Sequence, residues 1–211
     1  MAKEKTSQRR LLRAARSSSA AISSQVSAEG LRTTGLELFN SLELPGARQA
    51  IAGYLPLGDE PDVIPLLTAL ELSSRTIYLP VCEPDFQLSW VSWQPGVPLR
   101  RSSFAPVWEP VGEPRGIEVM NSVGLILLPA LAVDSGGTRM GQGGGYYDRF
   151  LGSLQNLDSS TERRTPGLDR PVTAAVVYPQ EFISEASLPK EEHDQAVDYV
   201  LTPEFFSRLE C

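Results

Sequence analysis

Residues Val123–Leu128 read Val-Gly-Leu-Ile-Leu-Leu, six positions without one polar side chain. A half-exposed strand alternates apolar and polar residues, so an unbroken run of this length marks a strand covered on both faces. Such strands belong to parallel sheets held between layers of helix. The preceding chain has the rhythm such a sheet needs. Gln49–Leu55 reads as a buried strand, Pro61–Leu72 as a helix with Pro61 suited to its first turn, and Thr76–Val81 as the next strand. This βαβ order predicts a right-handed crossover.

The remaining segments extend the pattern. Gln87–Trp93 alternates with period two, as a strand exposed on one face does. Residues 94–116 are rich in Pro, Gly and Arg and read as loop, and Asp134–Gly137 is a turn signal. Tyr146–Leu154 is expected to be helix, residues 155–171 a surface loop, and Thr173–Tyr178 and Val197–Leu201 two more strands. Pro203–Leu209 is expected to form a closing helix. Helix formers dominate from Thr6 to Ser41, and Gly30 and the Ser17–Ser19 run divide that stretch into two helices. The expectation is one α/β domain over residues 1–211, opened by a basic N-terminal helix at 1–16.

Composition excludes several classes. The chain has 211 residues, 41% of them apolar and 21% charged, ordinary values for a globular protein with a real core. No apolar run nears the ~20 residues of a membrane-spanning helix. Two cysteines, Cys82 and Cys211, make neither a disulfide framework nor a zinc site, so reduced thiols are expected. Residues 1–16 hold six basic groups against Glu4, a local +5, so the other 195 residues carry −12 of the net −7. An acidic body argues against nucleic acid as a partner. The Arg- and Ser-rich residues 9–27 have the composition of a transit peptide, but Glu4 and the lack of a composition break before Leu31 favour a retained helix.

The segment Arg139–Phe150 carries the strongest chemical signal. Gly141, Gly143, Gly144 and Gly145 follow a buried strand and precede a helix. Glycine permits positive φ and close backbone approach, so successive N–H groups can converge on an anion, helped by the positive end of the helix dipole. Arg139 can add a bidentate phosphate contact. The pattern is neither a P-loop nor the spaced dinucleotide fingerprint. A flexible Gly-rich turn is the bland alternative.

Asp148 stands in the first helical turn after the glycines, facing whatever the loop cradles, and a phosphate there brings Mg²⁺, which takes one or two carboxylates. Asp194, in LPKEEHD, precedes the last strand, where open α/β sheets bind ligands. A cap or turn role is the alternative for both. His193 has no second histidine nearby and reads as a structural partner of its loop. Glu60 lies between a strand end and a helix, where a carboxylate can accept hydrogen bonds from an amidine-like heterocycle edge or simply charge a helix N-terminus. Trp90, Trp93, Trp108, Tyr146 and Tyr147 could sandwich a planar ligand, with core packing as their default role.

Taken together, four segments resemble the 5-formyltetrahydrofolate cyclo-ligases, also called methenyltetrahydrofolate synthetases. They are Lys5-x-x-x-Arg9, GYLPLGDEPD after the first strand, LLPALAVDSGGTRMGQGGGYYDRFL, and LPKEEHDQAVDYVLT near the C-terminus. The resemblance implies a three-layer α/β/α sandwich with a mainly parallel central sheet. It also implies ATP- and Mg²⁺-dependent closure of 5-formyltetrahydrofolate to 5,10-methenyltetrahydrofolate, with phosphorylation of the formyl oxygen and release of ADP and phosphate. By similarity, Lys5 and Arg9 would bind ATP together with the loop from Arg139 and Met140 through Tyr147, with Arg139 and Tyr147 at the reacting groups. Asp148 and Asp194 would hold Mg²⁺. Leu55 and Glu60 would contact the pterin, and Gln142–Tyr146 the folate beside the nucleotide. Gln8 stands where the family usually carries Leu, so Arg10, Arg13 or Arg16 could replace Arg9. The implied partner is a small folate, with or without further glutamates, bound by a cytoplasmic monomer. A phosphate-binding module of the sugar-phosphate or CoA type on a related sandwich is the rival reading.

Overall fold

The computed structural model describes residues 2–19, 24–158, 170–191 and 194–210. Two helices, α1 (Ala2–Ser19) and α2 (Ser24–Ser41), lead into strand β1 (Ala50–Ala52), helix α3 (Ile64–Leu72), β2 (Ile77–Cys82) and β3 (Leu88–Trp93). A small ribbon follows, β4 (Leu99–Arg101) and β5 (Trp108–Pro110), and then the apolar run as β6 (Val123–Pro129). Beyond it come β7 (Ala132–Asp134), β8 (Arg139–Met140), α4 (Tyr146–Asp158), β9 (Val172–Val176), β10 (Phe182–Ile183), β11 (Tyr199–Leu201) and β12 (Phe206–Arg208).

Seven strands form the main sheet in the order β12-β11-β9-β6-β1-β2-β3. The five inner strands run parallel, and β3 and β12 pair antiparallel at the two edges. The central position of β6, buried from Val123 to Leu128, is the one its unbroken apolar run calls for. Period-two alternation then divides its side chains between the faces. Leu125 and Leu127 join Leu31, Leu38, Leu66 and Leu70 of α2 and α3, whereas Ile126 and Leu128 join Phe150, Leu151 and Leu154 of α4. The result is the expected three layers.

Several elements differ from expectation. Pro203–Leu209 is not a helix, because the chain doubles back on Thr202: the Phe205 carbonyl is turned to accept both the Thr202 N–H (2.9 Å) and the Thr202 hydroxyl (2.8 Å), closing a tight turn. That turn sends Phe206–Arg208 back along β11 as an edge strand, Phe206 opposite Leu201. Helix α3 starts at Ile64 rather than Pro61, since the Pro61 carbonyl is held by the Tyr54 hydroxyl at 3.0 Å and Asp62 accepts the Ile64 N–H. Pro65 takes the first turn instead. The stretch expected as loop contains the β4–β5 ribbon, and α4 continues through residues 155–158 of the expected surface loop. Residues 159–169 of that loop lie outside the described residues, as do His193 and Cys211. Among the described residues no helix is long and apolar enough to cross a membrane.

Close packing of β6 against the 44–48 turn leaves no room at Gly124, where an added Cβ would collide with the Arg48 carbonyl oxygen and the Leu44 side chain. Gly124→Ala is therefore expected to destabilise the protein by about 1–3 kcal/mol. Urea unfolding measures it, and an unchanged midpoint would mean that the turn shifts freely.

Candidate functional site

The site forms at the carboxyl end of β6, where the chain turns through the β7–β8 hairpin and runs by way of the glycines into α4. Asp134 is consumed in making that hairpin: one carboxylate oxygen accepts the Thr138 N–H (2.8 Å) and the other the Leu188 N–H (2.9 Å). Arg139 follows, buried, with one terminal nitrogen on the Asp148 carboxylate and its Nε buried without a hydrogen-bond partner. Gly143 and Gly145 adopt φ of 92° and 79°, a backbone that other residues take only with strain. Asp148 sits in the first turn of α4, as expected.

Helix α1 lies across this loop on one face. Lys5, Arg9, Arg13 and Arg16 are spaced by four, four and three residues, the interval that stacks side chains along a helix. Arg9 Nε donates to the Gly141 carbonyl at 3.2 Å. Arg13 donates to both the backbone and side-chain oxygens of Gln142, at 2.6 and 2.9 Å. Lys5 pairs with Asp194 and, at 3.0 Å, with Glu191. Burial works against the Lys5 ammonium, but these carboxylates outweigh it and raise its pKa above the usual 10.5. Arg16 is buried in a two-pronged ion pair with Glu181, both contacts at 2.6 Å, and also donates to the Ala130 carbonyl.

Two cavities share the glycine loop as a wall. One is an open depression of about 670 Å³ bounded by Phe86, Gly143–Gly145, Asp148, Arg149 and Gln195. The other, about 480 Å³, is lined by Tyr54, Leu55, Glu60, Trp108, Tyr146 and Tyr147 among others, with Arg139 and Gly141–Gly145 along one side. Within it Glu60 is 7% exposed; its carboxylate accepts the Leu57 N–H and the Gln142 side-chain amide, each at 3.0 Å. Burial pushes the Glu60 carboxyl above the ordinary 4.5, against those hydrogen bonds and the charge of Arg16. Burial likewise raises the Tyr147 hydroxyl and lifts the Cys82 thiol to about 11.

The expected site residues are thus largely assembled. Leu55, Glu60, Arg139, Gln142, Tyr146, Tyr147 and Asp148 meet in one cavity, and Arg9 reaches the loop. Asp194 meets Lys5 rather than Asp148, each carboxylate being paired with its own cation. The Met140 side chain packs with Leu131 and Ala132, away from both cavities. Trp90 and Trp93 belong to the core, leaving Trp108 with the two tyrosines at the site. Arg13 and Arg16, expected only as alternatives to Arg9, act beside it and hold Gln142 and Glu181, a shared face that the near-four-residue spacing of the cations in α1 signals.

Phosphate groups suit this face: Arg9, Arg13 and Arg139 surround a backbone whose two positive-φ glycines leave N–H groups open to approach, and Asp148 adds the oxygen ligand that Mg²⁺ uses beside phosphate. Among the described residues no cluster of three or more acidic, His or Cys side chains could hold a metal by itself.

Comparison with known proteins gives the family and the fold. The model of the 5-formyltetrahydrofolate cyclo-ligase family matches residues 1–203. A 5-formyltetrahydrofolate cyclo-ligase of Mycolicibacterium smegmatis is 35% identical over 166 residues, covering 74% of each chain. That of Escherichia coli K12 is 28% identical over 155 residues, 72% of this chain and 77% of the other. The solved structure of a 5,10-methenyltetrahydrofolate synthetase from Aquifex aeolicus superposes with a TM-score of 0.68 at 24% identity, over 98% of this chain and 93% of that one, so the fold is shared.

The raised pKa of Glu60 makes it a group that costs stability when ionised. Its contribution is most favourable at low pH and is lost as pH climbs from about 4.5 through the higher folded value. The stability of the wild type minus that of Glu60→Gln should therefore fall as pH rises through that window. Urea unfolding of both proteins from about pH 4 to pH 8 tests this, and a difference that stays flat would mean the carboxyl titrates normally.

Proposed function

The chain belongs to the 5-formyltetrahydrofolate cyclo-ligase family, and from that premise we propose that it closes 5-formyltetrahydrofolate to 5,10-methenyltetrahydrofolate at the expense of ATP with Mg²⁺. The observation that carries this reading is the shared wall: one stretch of bare backbone, Gly143–Gly145, borders both an open depression that carries Asp148 and Arg149 and a cavity with a buried carboxylate, with Arg9 against Gly143. A reaction that moves a phosphoryl group from one ligand to another needs two sites in such contact.

When bound, ATP supplies the phosphoryl group that turns the formyl oxygen into a leaving group, and Mg²⁺ neutralises charge on the phosphates. The protein's part is positioning and electrostatics. Lys5, Arg9 and Arg139, with the N–H groups of the glycine loop, hold the triphosphate, and Asp148 and Asp194 are assigned to the metal. Glu60 accepts hydrogen bonds from the 2-amino and N3–H donors of the pterin, a match of two oxygens to two donors, while Leu55 and Tyr54 flank the ring. Arg139 and Tyr147, neighbours on the wall of the second cavity with the guanidinium 6.0 Å from the ring centroid, stabilise negative charge as it develops on the transferring group. The N10 amine then attacks the activated formyl carbon, phosphate departs, and N10 loses its proton. No protein nucleophile is required.

Glu181 and Ala130 hold Arg16, and through it α1, in place over the loop, so the cations of α1 reach the phosphates without an ordering cost at each turnover.

Appearance of methenyl absorbance from 5-formyltetrahydrofolate, strictly dependent on ATP and Mg²⁺, is the expected result for the wild-type protein. Asp148→Asn should lower turnover on the order of a hundredfold while the protein still melts cooperatively. Phosphate binding without any folate-dependent ATP consumption would replace this reading with the simple phosphate-binding module.

A further inference from the structure

Around the outer rim of the folate cavity, the charge of the chain reverses locally. The 195 residues after Arg16 sum to −12, yet Arg100 and Arg101 stand on β4 with no acidic residue from Arg100 to Trp108. The ribbon they belong to forms part of the cavity: Ala105, Pro106, Val107 and Trp108 line it, and the Phe104 carbonyl receives the Tyr146 hydroxyl at 3.3 Å. Of the residues that line the cavity, Tyr54 and Glu60 are buried, whereas Trp108 is 47% exposed. The Arg101 guanidinium lies 4.4 Å from the centroid of the Trp108 ring.

This contact fixes the guanidinium without using its N–H groups, since a ring face attracts the cation and leaves the planar fork of donors free. Glu109 does not neutralise it. That carboxylate is buried, accepts the Cys82 N–H at 2.8 Å, and lies 3.7 Å from Arg100. Among the described residues no carboxylate pairs with Arg101. An exposed, pre-oriented arginine at the mouth of a cavity fits a carboxylate carried by the part of the ligand that protrudes.

We propose that Arg101, stacked on Trp108, binds the glutamate carboxylates of the folate as they leave the cavity, making the β4–β5 ribbon a subsite that reads the substrate's tail. The inference rests on the folate reading above. With the pterin at Glu60, the benzoyl-glutamate end must run toward the exposed rim. A monoglutamate offers two carboxylates there, and each further glutamate adds one, so attraction to Arg101 and the neighbouring Arg100 grows with tail length.

The test compares 5-formyltetrahydrofolate in its monoglutamate and triglutamate forms on wild type, Arg101→Ala and Arg101→Lys. For wild type the triglutamate should show the lower KM. Arg101→Ala should raise KM roughly two- to fivefold for the monoglutamate, the range of an exposed ion pair, and more for the triglutamate, so that the preference between tails shrinks. Arg101→Lys keeps the charge and should recover part of it. Added KCl should move the wild-type values toward those of Arg101→Ala. Titrating the same folates without ATP, followed by tryptophan fluorescence, reads the tail contact independently of turnover. Equal tail preference in wild type and Arg101→Ala, by kinetics or by titration, overturns the subsite. Absence of ATP-dependent product from the wild type overturns the functional reading instead, and the titration still decides whether Arg101 holds the tail.

Discussion

Helix α1 reaches the body of the protein mainly through charge. Its inward side offers Leu12 to a small apolar cluster and otherwise presents Lys5, Gln8, Arg9 and Arg16, with Arg13 reaching Gln142 from the exposed flank. The Arg16–Glu181 pair is the fixed point. Both side chains are almost wholly buried, so each loses hydration worth several kcal/mol, which only good geometry can offset. Two parallel contacts, the Ala130 carbonyl and the Tyr178 N–H on Glu181 supply that geometry. Everything the helix brings to the glycine loop depends on this anchor, because contacts such as Arg13 to Gln142 are exposed and individually weak.

A second consequence follows from the way the remaining charges are matched. Lys5 sits on Asp194 and Arg139 on Asp148, so groups assigned to an anionic nucleotide and to its metal neutralise one another in the ligand-free molecule. Neither a buried lysine nor a buried arginine is left facing an empty cavity unpaired, which would be costly. The proposed nucleotide and its metal carry opposite charges, which match the two halves of each pair. The assembly is thereby electrically balanced with or without its ligand.

Much of this was legible in the sequence, for identifiable reasons. The unbroken apolar run of β6 marks a strand covered on both faces, and glycines between a strand and a helix mark a turn walled by bare backbone. The failures are equally physical. Pro203–Leu209 has a helical look, but the Phe205 carbonyl is turned back onto the N–H and hydroxyl of Thr202, so it is not free to point along a helix. The β4–β5 ribbon hides among prolines, glycines and arginines because its pairing is fixed by Glu109 reaching the Cys82 N–H, a contact between distant residues. Likewise, the path from Arg13 through Gln142 to Glu60 joins three segments far apart in sequence. Spacing along one element can be read from a sequence, whereas partnership between elements cannot.

The partition between the two cavities is made of main chain alone at Gly143, Gly144 and Gly145. A side chain belongs to one compartment and can be altered for that compartment's benefit. A bare backbone belongs to both at once. Under the proposed assignment, any change that tunes nucleotide recognition at these positions also reshapes the folate chamber, and the reverse holds equally. The two specificities are therefore inherited as one trait at the partition, and adaptation to a different folate must come from the outer walls, where residues such as Leu57 and Trp108 face a single ligand.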